Sequence, residues 1–190
     1  MTHTALFTAP WDQKLTLITV VTSTLLLAAG ALSIWMALTL VPSGAGRAVI
    51  LVGGLIALAA FLLGILLAPR GYTIANGRLT IDRILCPVEI PLESIQAAER
   101  LPADRLAGSW RTLGSGGFFG YYGRFSNRAL GSYRMYATRG DGCVLVRAER
   151  LYVLTPDSPE RFIESLARGR GESGAGDRQA APAGPDGRDS

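Results

Sequence analysis

Leu15-Thr-Leu-Ile-Thr-Val-Val-Thr-Ser-Thr-Leu-Leu-Leu-Ala-Ala-Gly-Ala-Leu-Ser-Ile-Trp-Met-Ala-Leu-Thr-Leu-Val41 contains no charged residue over 27 positions. After a short break, Ala48-Val-Ile-Leu-Val-Gly-Gly-Leu-Ile-Ala-Leu-Ala-Ala-Phe-Leu-Leu-Gly-Ile-Leu-Leu-Ala68 adds another 21. About 20 apolar residues suffice to cross a hydrocarbon core of roughly 30 Å, so each run reads as a transmembrane helix. Only Val41-Pro-Ser-Gly-Ala-Gly-Arg47 separates them, a Pro/Gly turn with one charge. The spacing predicts a two-helix membrane hairpin over 15–68 (spans 15–41 and 48–68). Everything after Pro69 then lies on the same side of the membrane as the N-terminus.

Outward from the hairpin, residues 1–14 read as a short polar leader. A cleavable signal peptide has an apolar core of about 7 to 15 residues, and the run from Leu15 is longer, so the first helix is expected to be retained. Trp11 and Tyr72 fall at the two outer ends, where interfacial aromatics gather. Lys14, Arg70 and Arg78 flank those ends against Arg47 alone in the turn, which favours both termini in the cytoplasm. Within the second span Gly53, Ala57, Ala60, Gly64 and Ala68 form one stripe of small residues. Such a stripe lets helices approach closely, and it serves packing of the first helix of the hairpin or association of two copies through Gly53, Ala57, Ala60 and Gly64. Thr16, Thr19 and Ser23 share one face of the first helix, where hydroxyls are expected to bond back to carbonyls four residues earlier. Neither span carries Asp, Glu, Lys, Arg or His, which argues against a pump or channel.

Residues 70–168 are enough for one small domain with its own core. They carry 14 Arg against 10 Asp and Glu, and the whole chain has a single Lys. Cys86 and Cys143 form no Cys-x-x-Cys pair, and the one histidine is His3, so no zinc or haem site can be assembled. The two thiols read as small buried side chains. A hairpin signal at Asn76-Gly77 lies between Tyr72-Thr-Ile74 and Arg78-Leu-Thr-Ile-Asp-Arg-Ile84. Val88-Glu-Ile90 and Ser94-Ile-Gln-Ala-Ala-Glu-Arg-Leu101 are two further strands. Ser132-Tyr-Arg-Met-Tyr-Ala-Thr138, Cys143-Val-Leu-Val-Arg147 and Leu151-Tyr-Val-Leu-Thr155 bring the total to seven. Pro156-Asp-Ser-Pro-Glu160 then starts a helix, with Asp157 or Ser158 as cap. Phe162, Ile163 and Leu166 give that helix an apolar stripe. Residues 169–190, without a large apolar residue, are expected to be a disordered tail.

Seven strands and a closing helix follow the element order of the pleckstrin-homology superfold. Two membrane helices running into Gly71-Tyr-Thr-Ile-Ala-Asn-Gly-Arg-Leu-Thr-Ile81, then Ile90-Pro-Leu-Glu-Ser-Ile95, make the chain resemble the bacterial PH-domain membrane proteins. Gly116-Gly-Phe-Phe-Gly-Tyr-Tyr-Gly-Arg-Phe125, Gly131-Ser-Tyr-Arg-Met-Tyr-Ala-Thr138 and Leu154-Thr-Pro-Asp-Ser-Pro-Glu-Arg-Phe162 extend the resemblance over roughly 15–168. It implies an α+β membrane protein: a two-helix transmembrane hairpin followed by a PH-like seven-stranded β barrel or sandwich with a C-terminal α-helix. It implies an address in a bacterial inner membrane and no chemistry. The expected function is a non-enzymatic adaptor at the cytoplasmic face, with no cofactor, no nucleic-acid partner and an unidentified protein partner.

One interval stands apart. Between Asp104 and Asp141 there is no acidic residue, while Arg105, Arg111, Arg124, Arg128, Arg134 and Arg139 alternate with eight aromatics. Its glycines miss the dinucleotide pattern, because Phe119 stands where a third glycine is required after Gly114-Ser-Gly116, and no P-loop Lys follows. As a long loop over 105–134 it would carry Arg105, Arg111, Phe118, Phe119, Tyr121, Tyr122, Arg124 and Arg128 to a partner or to anionic lipid headgroups. Each cation near such a surface adds about 1 kcal/mol. Alternatively the glycines let the chain turn tightly and the aromatics fold back onto the barrel. With no histidine base available and Glu89 and Glu93 flanking a Pro turn, catalysis is not expected.

Overall fold

The computed structural model describes residues 4–179, the last eight as helix backbone only; His3 lies outside the described residues. The two apolar runs fold as α1 (Gln13–Thr39) and α2 (Ala45–Leu67), of 27 and 23 residues. At 1.5 Å per residue they are about 40 and 35 Å long, enough to cross a bilayer. The turn is shorter than the sequence suggests, because helix resumes at Ala45 behind Gly44, whose φ of 140° only glycine adopts easily. The helices meet at Gly30 and Gly54: a Cβ added to Gly54 would lie 3.1 Å from the Gly30 carbonyl. The contact face therefore runs through Gly54. Gly53 faces open space and Ala60 is exposed, so the small-residue stripe is not the packing face of the hairpin.

The remainder is β structure closed by a helix. A four-stranded antiparallel sheet runs β1 (Ala5–Thr8), β2 (Gly71–Ala75), β3 (Arg78–Asp82), β4 (Val88–Pro91) in that order. The second sheet has β5 (Ala97–Arg100), β6 (Trp110–Gly116), β7 (Tyr121–Asn127), β8 (Gly131–Ala137), β9 (Val144–Arg147) and β10 (Leu151–Leu154). Its spatial order is β5-β9-β10-β8-β7-β6, with β8 and β10 parallel and every other pair antiparallel. The helix α3 (Pro159–Gln179) closes the fold.

The second sheet is buried on both faces. One face joins Tyr122, Tyr136, Val144, Val146 and Leu154 to the first sheet and to Phe162 and Leu166 of α3. The other packs Phe125, Tyr133, Met135, Leu145 and Val153 beneath Leu101 and Leu106. Two-sided burial explains why Val144-Leu-Val-Arg147 and Leu151-Tyr-Val-Leu154 read as continuous apolar runs rather than alternating ones.

Tyr72 ties the layers together. It is fully buried on β2, donates to the Tyr136 carbonyl of β8 at 2.7 Å, and accepts from the Thr155 amide at 3.0 Å. Its ring meets Phe162 of α3 edge-on at 5.8 Å. One hydroxyl thus satisfies a carbonyl and an amide that would otherwise be buried unpaired. The interfacial aromatic expected at Tyr72 is instead the central pin of the domain. Burial pushes its hydroxyl up to about 12.

Several expectations change here. The domain at 70–168 has nine strands rather than seven, and a tenth comes from the leader. β1 escapes a sequence reading because it is four residues long, with Phe7 its one large side chain turned to the core beside the small Ala5. β6 and β7 escape it because their glycines dilute the alternation. Gly114 and Gly123 face each other across the ladder with φ of 114° and 124°, beside a register shift between Arg111 and Leu113. A Cβ at one would overlap the backbone of the other strand, so the crossing needs glycine on both sides. The interval 105–134 is therefore mostly strand, the edge strand β6 with β7 and the start of β8 beside it, not a loop. α3 continues through residues expected to be tail, because Gly169 packs on Leu92 and the Arg170 side chain donates to the Gln96 carbonyl at 3.1 Å; residues 180–190 lie outside the described residues. Of the two cap candidates, Ser158 stands at the cap position of α3, its carbonyl accepting from the Phe162 amide at 2.9 Å, while the Asp157 carboxylate accepts from the Thr8 hydroxyl at 2.9 Å. Of the two thiols, Cys143 is buried and Cys86 is exposed.

The Tyr72→Phe variant should lose about 1–3 kcal/mol of stability in denaturant unfolding of the full chain, since two buried backbone groups lose their partner. Tyr72 is protonated more firmly folded than unfolded, so its contribution is intact below pH 10 and is lost as pH rises toward 12. The variant should show a shallower alkaline fall over that window than the wild-type chain.

Candidate functional site at the helix–domain junction

The hairpin and the domain are joined at three points, and the aromatic interval supplies one of them. At the first, Asp12 caps α1 by accepting from the Leu15 amide at 2.6 Å, while its other oxygen accepts from the Gly140 amide at 3.2 Å. Its own amide donates to the Thr138 carbonyl at 3.4 Å, and the Thr138 hydroxyl donates to the Pro10 carbonyl at 2.8 Å. Just before it, β1 pairs along β2 from Ala5↔Ile74 to Thr8↔Gly71. The supposed leader is thus a sheet strand followed by a helix cap. A Asp-x-x-Leu start to an apolar run is the signal that could have revealed the cap.

At the second point α2 runs through Ala68 and Pro69 into β2 without a linker. The Leu85 amide, in the β3–β4 connection, donates to the Leu66 carbonyl at 2.8 Å and satisfies one orphan acceptor of the helix end. Arg83 in the same connection donates to the Cys86 carbonyl and lies 5.4 Å from the Tyr136 ring centroid.

The third point is the turn between β6 and β7, Gly117-Phe-Phe-Gly120. The Phe118 amide donates to the Ser115 hydroxyl at 3.0 Å, that hydroxyl donates back to the Phe118 carbonyl at 2.8 Å, and Phe119 takes a φ of 56°. This tip sits against both long helices. The Phe119 amide donates to the Thr19 hydroxyl of α1 at 3.1 Å, and that hydroxyl donates to the Gly117 carbonyl at 3.5 Å. Phe118 packs on Gly64 of α2 so closely that a Cβ there would overlap its ring. Phe119 meets Trp11, Phe61 and Phe118 edge-on at 5.9, 5.9 and 4.7 Å. The Tyr122 hydroxyl donates to the Gly64 carbonyl at 3.3 Å.

This arrangement revises the reading of Thr19. Thr16 does bond back to the Asp12 carbonyl at 2.9 Å, but Thr19 is 4% exposed and spends its hydroxyl on the tip. It also revises Gly64, which is covered by aromatic rings and unavailable to a second copy.

The eight side chains singled out in the sequence do not form one cluster. Phe118, Phe119 and Tyr122 gather at the helices, the first two half-buried and Tyr122 buried, while the half-buried Tyr121 packs against the second core. Folding back onto the barrel describes Tyr122, which is buried in the core between the sheets, and Tyr121, which packs on the second core, whereas Phe118 and Phe119 at the tip meet the hairpin. Arg105, Arg111, Arg124 and Arg128 are exposed and scattered. Arg105 and Arg128 lie at the far end of the sheet, where the Asn127 side chain donates to the Arg105 carbonyl at 2.8 Å. Six residues of β7 separate that end from Tyr121, about 20 Å. Arg124 stands opposite Arg134 in the ladder. Only Arg111 reaches toward the tip: its guanidinium would lie 3.0 Å from a Cβ placed on Gly116.

Electrostatically the junction is quiet. Burial raises the hydroxyl of Tyr121, helped by the nearby Asp12 carboxylate, and raises that of Tyr122, so both stay neutral donors at physiological pH. Burial, with Asp141 adding to it, pushes the Cys143 thiol up to about 11, which leaves little thiolate for chemistry. Among the described residues no three His, Cys, Asp or Glu side chains come together in a way that could hold a metal ion.

The tip contact is open to a double-mutant cycle. Thr19→Val should cost about 1–2 kcal/mol by losing two hydrogen bonds, and Gly64→Leu about 1–3 kcal/mol by overpacking against Phe118. Because both act on one contact, their sum should exceed the loss in the double variant, as read from unfolding of the full chain.

A family model for the bacterial PH domain matches residues 70–169, the segment from the end of α2 to the middle of α3. No curated protein matches the chain, and neither does any solved structure. The matched segment covers more than half of the chain and coincides with the β structure that Tyr72 pins together, so the chain belongs to the bacterial PH-domain family.

Proposed function

We propose that the chain is a membrane-anchored, non-enzymatic interaction module, with the hairpin spanning a bacterial inner membrane and the PH domain presented rigidly in the cytoplasm. PH domains in general are interaction or lipid-binding modules, which sets the class. The observation that carries the finer reading is the three-point junction. A domain tied at Asp12, at Leu66 and at the Thr19–Phe119 contact cannot swing on its anchor.

Membrane insertion is supported by magnitude. Sixteen large apolar side chains of α1 and α2 are exposed, Leu17 at 65%, Val49 at 70% and Ile56 at 63% among them. At roughly 1.5–3 kcal/mol each, leaving them in water would forgo tens of kcal/mol, more than the 5–15 kcal/mol that holds a domain folded. A hydrocarbon environment covers them without a partner protein. The exposed edge of the second sheet supports a protein-binding role. β6 is an open edge strand with Trp110 73% and Leu113 66% exposed, a template for strand addition beside the exposed Arg111 and Arg124.

Two measurements test this. With Arg128→Cys introduced in a Cys86→Ser background, an impermeant maleimide should label inverted membrane vesicles and leave intact spheroplasts unlabelled; the reverse pattern would place the domain outside. Cross-linking in native membranes should capture a protein partner that Leu113→Asp releases, and an unchanged pattern would remove β6 as the docking edge.

A further inference from the structure

Beside the tip, α2 and the open edge of the second sheet leave a groove of about 330 Å³. Its floor is apolar: Ala60, Leu63 and Leu67 of α2, with Phe118 at one end. Its wall is the glycine backbone at Gly114, and Arg111 stands at its rim. Ala60 to Leu67 spans roughly 10 Å of helix, the outermost stretch of the apolar run on the domain side. Arg111 is exposed, and no ion-pair partner for it occurs among the described residues. The nearest acidic positions in the chain before and after it are Asp104 and Asp141.

We propose that this groove binds one anionic glycerophospholipid from the bilayer, with an acyl chain along Ala60, Leu63 and Leu67 and its phosphate paired with the Arg111 guanidinium. The inference rests on the membrane placement proposed above and goes beyond it by assigning a ligand. Three observations converge. The groove borders the end of a span whose outward face is otherwise bare apolar surface, so hydrocarbon fills it. Arg111 bends toward the tip, from a strand position well above it, to the level where the apolar run gives way to β structure. A planar guanidinium takes a phosphate through two parallel N–H donors, which suits a phosphodiester at that height. Of the four arginines first considered for a headgroup role, Arg111 alone lines the groove, since Arg105 and Arg128 sit about 20 Å away and Arg124 stands opposite Arg134 in the ladder. Phe118 lines the groove and Phe119 packs behind it on Trp11 and Phe61, so neither enters the lipid as a free anchor.

The test uses the full chain, reconstituted in vesicles of equimolar phosphatidylglycerol and phosphatidylcholine, released in mild detergent and weighed by native mass spectrometry. The wild-type chain should retain phosphatidylglycerol in preference to phosphatidylcholine. Arg111→Gln should reduce that preference about fivefold, the weight of one cation at an anionic surface. Arg128→Gln, at the far end of the sheet, should leave it unchanged. Ala60→Phe, which fills the floor, should reduce retention of both lipids. Equal losses in Arg111→Gln and Arg128→Gln would show diffuse charge and overturn the site. Lipid retained without preference would overturn it as well, as would a lipid-free dimer that Ala60→Phe dissociates. Failure to retain lipid of any kind, together with solubility of the chain without detergent, would remove the membrane placement itself, a result distinct from the loss of the Arg111 effect alone.

Discussion

Thr19 offers a single hydroxyl to two backbone groups of the β6–β7 turn, and the arrangement of the rest depends on that contact. Thr19 lies on the second turn of α1, and Gly64 lies three residues before the end of α2. By engaging both helices at once, the tip fixes how the second sheet stands on the hairpin. Two backbone hydrogen bonds and a few aromatic edges are modest in isolation, each worth about 1 kcal/mol. Their effect is geometric, because Asp12 and Leu66 already tie the other two corners and a third point removes the remaining rotation.

The glycines make this possible. A hairpin of β-branched and aromatic residues could not bring its two strands together at Gly114 and Gly123 or lay Phe118 directly on a helix backbone at Gly64. Small residues on α2 therefore divide their work between two partners, Gly54 receiving α1 and Gly64 receiving the tip. The domain supplies the rigid body behind the tip through Tyr72, whose hydroxyl joins β2, β8 and the end of β10.

Much of this was legible in the sequence, for particular reasons. The hairpin was, because 27 and 21 uncharged positions have few other uses. So were the Asn76-Gly77 turn, the continuous strands at Val144 and Leu151, and the apolar stripe of Phe162 and Leu166, since each obeys a local periodicity. What escaped was set by long-range contact. Ala5-Leu-Phe-Thr8 is a strand only because β2 lies beside it. The glycine-aromatic interval looks like a loop until Gly114 and Gly123 face each other. Thr19 looks like any helix threonine until Phe119, a hundred positions later, arrives at it. The arginines were grouped by sequence nearness, and seven-residue strands carry such neighbours 20 Å apart.

The central claim is that the tip is locked between the two helices while the chain sits in a bilayer. Hydrogen exchange at the Phe119 amide, measured on the full chain in lipid nanodiscs, tests it most directly. An amide donating to Thr19 should exchange as slowly as the β8 backbone, and slow exchange should be lost in Thr19→Val. Exchange at the rate of an open turn in the wild-type chain would contradict the account, for the domain would then ride on its anchor as a free body.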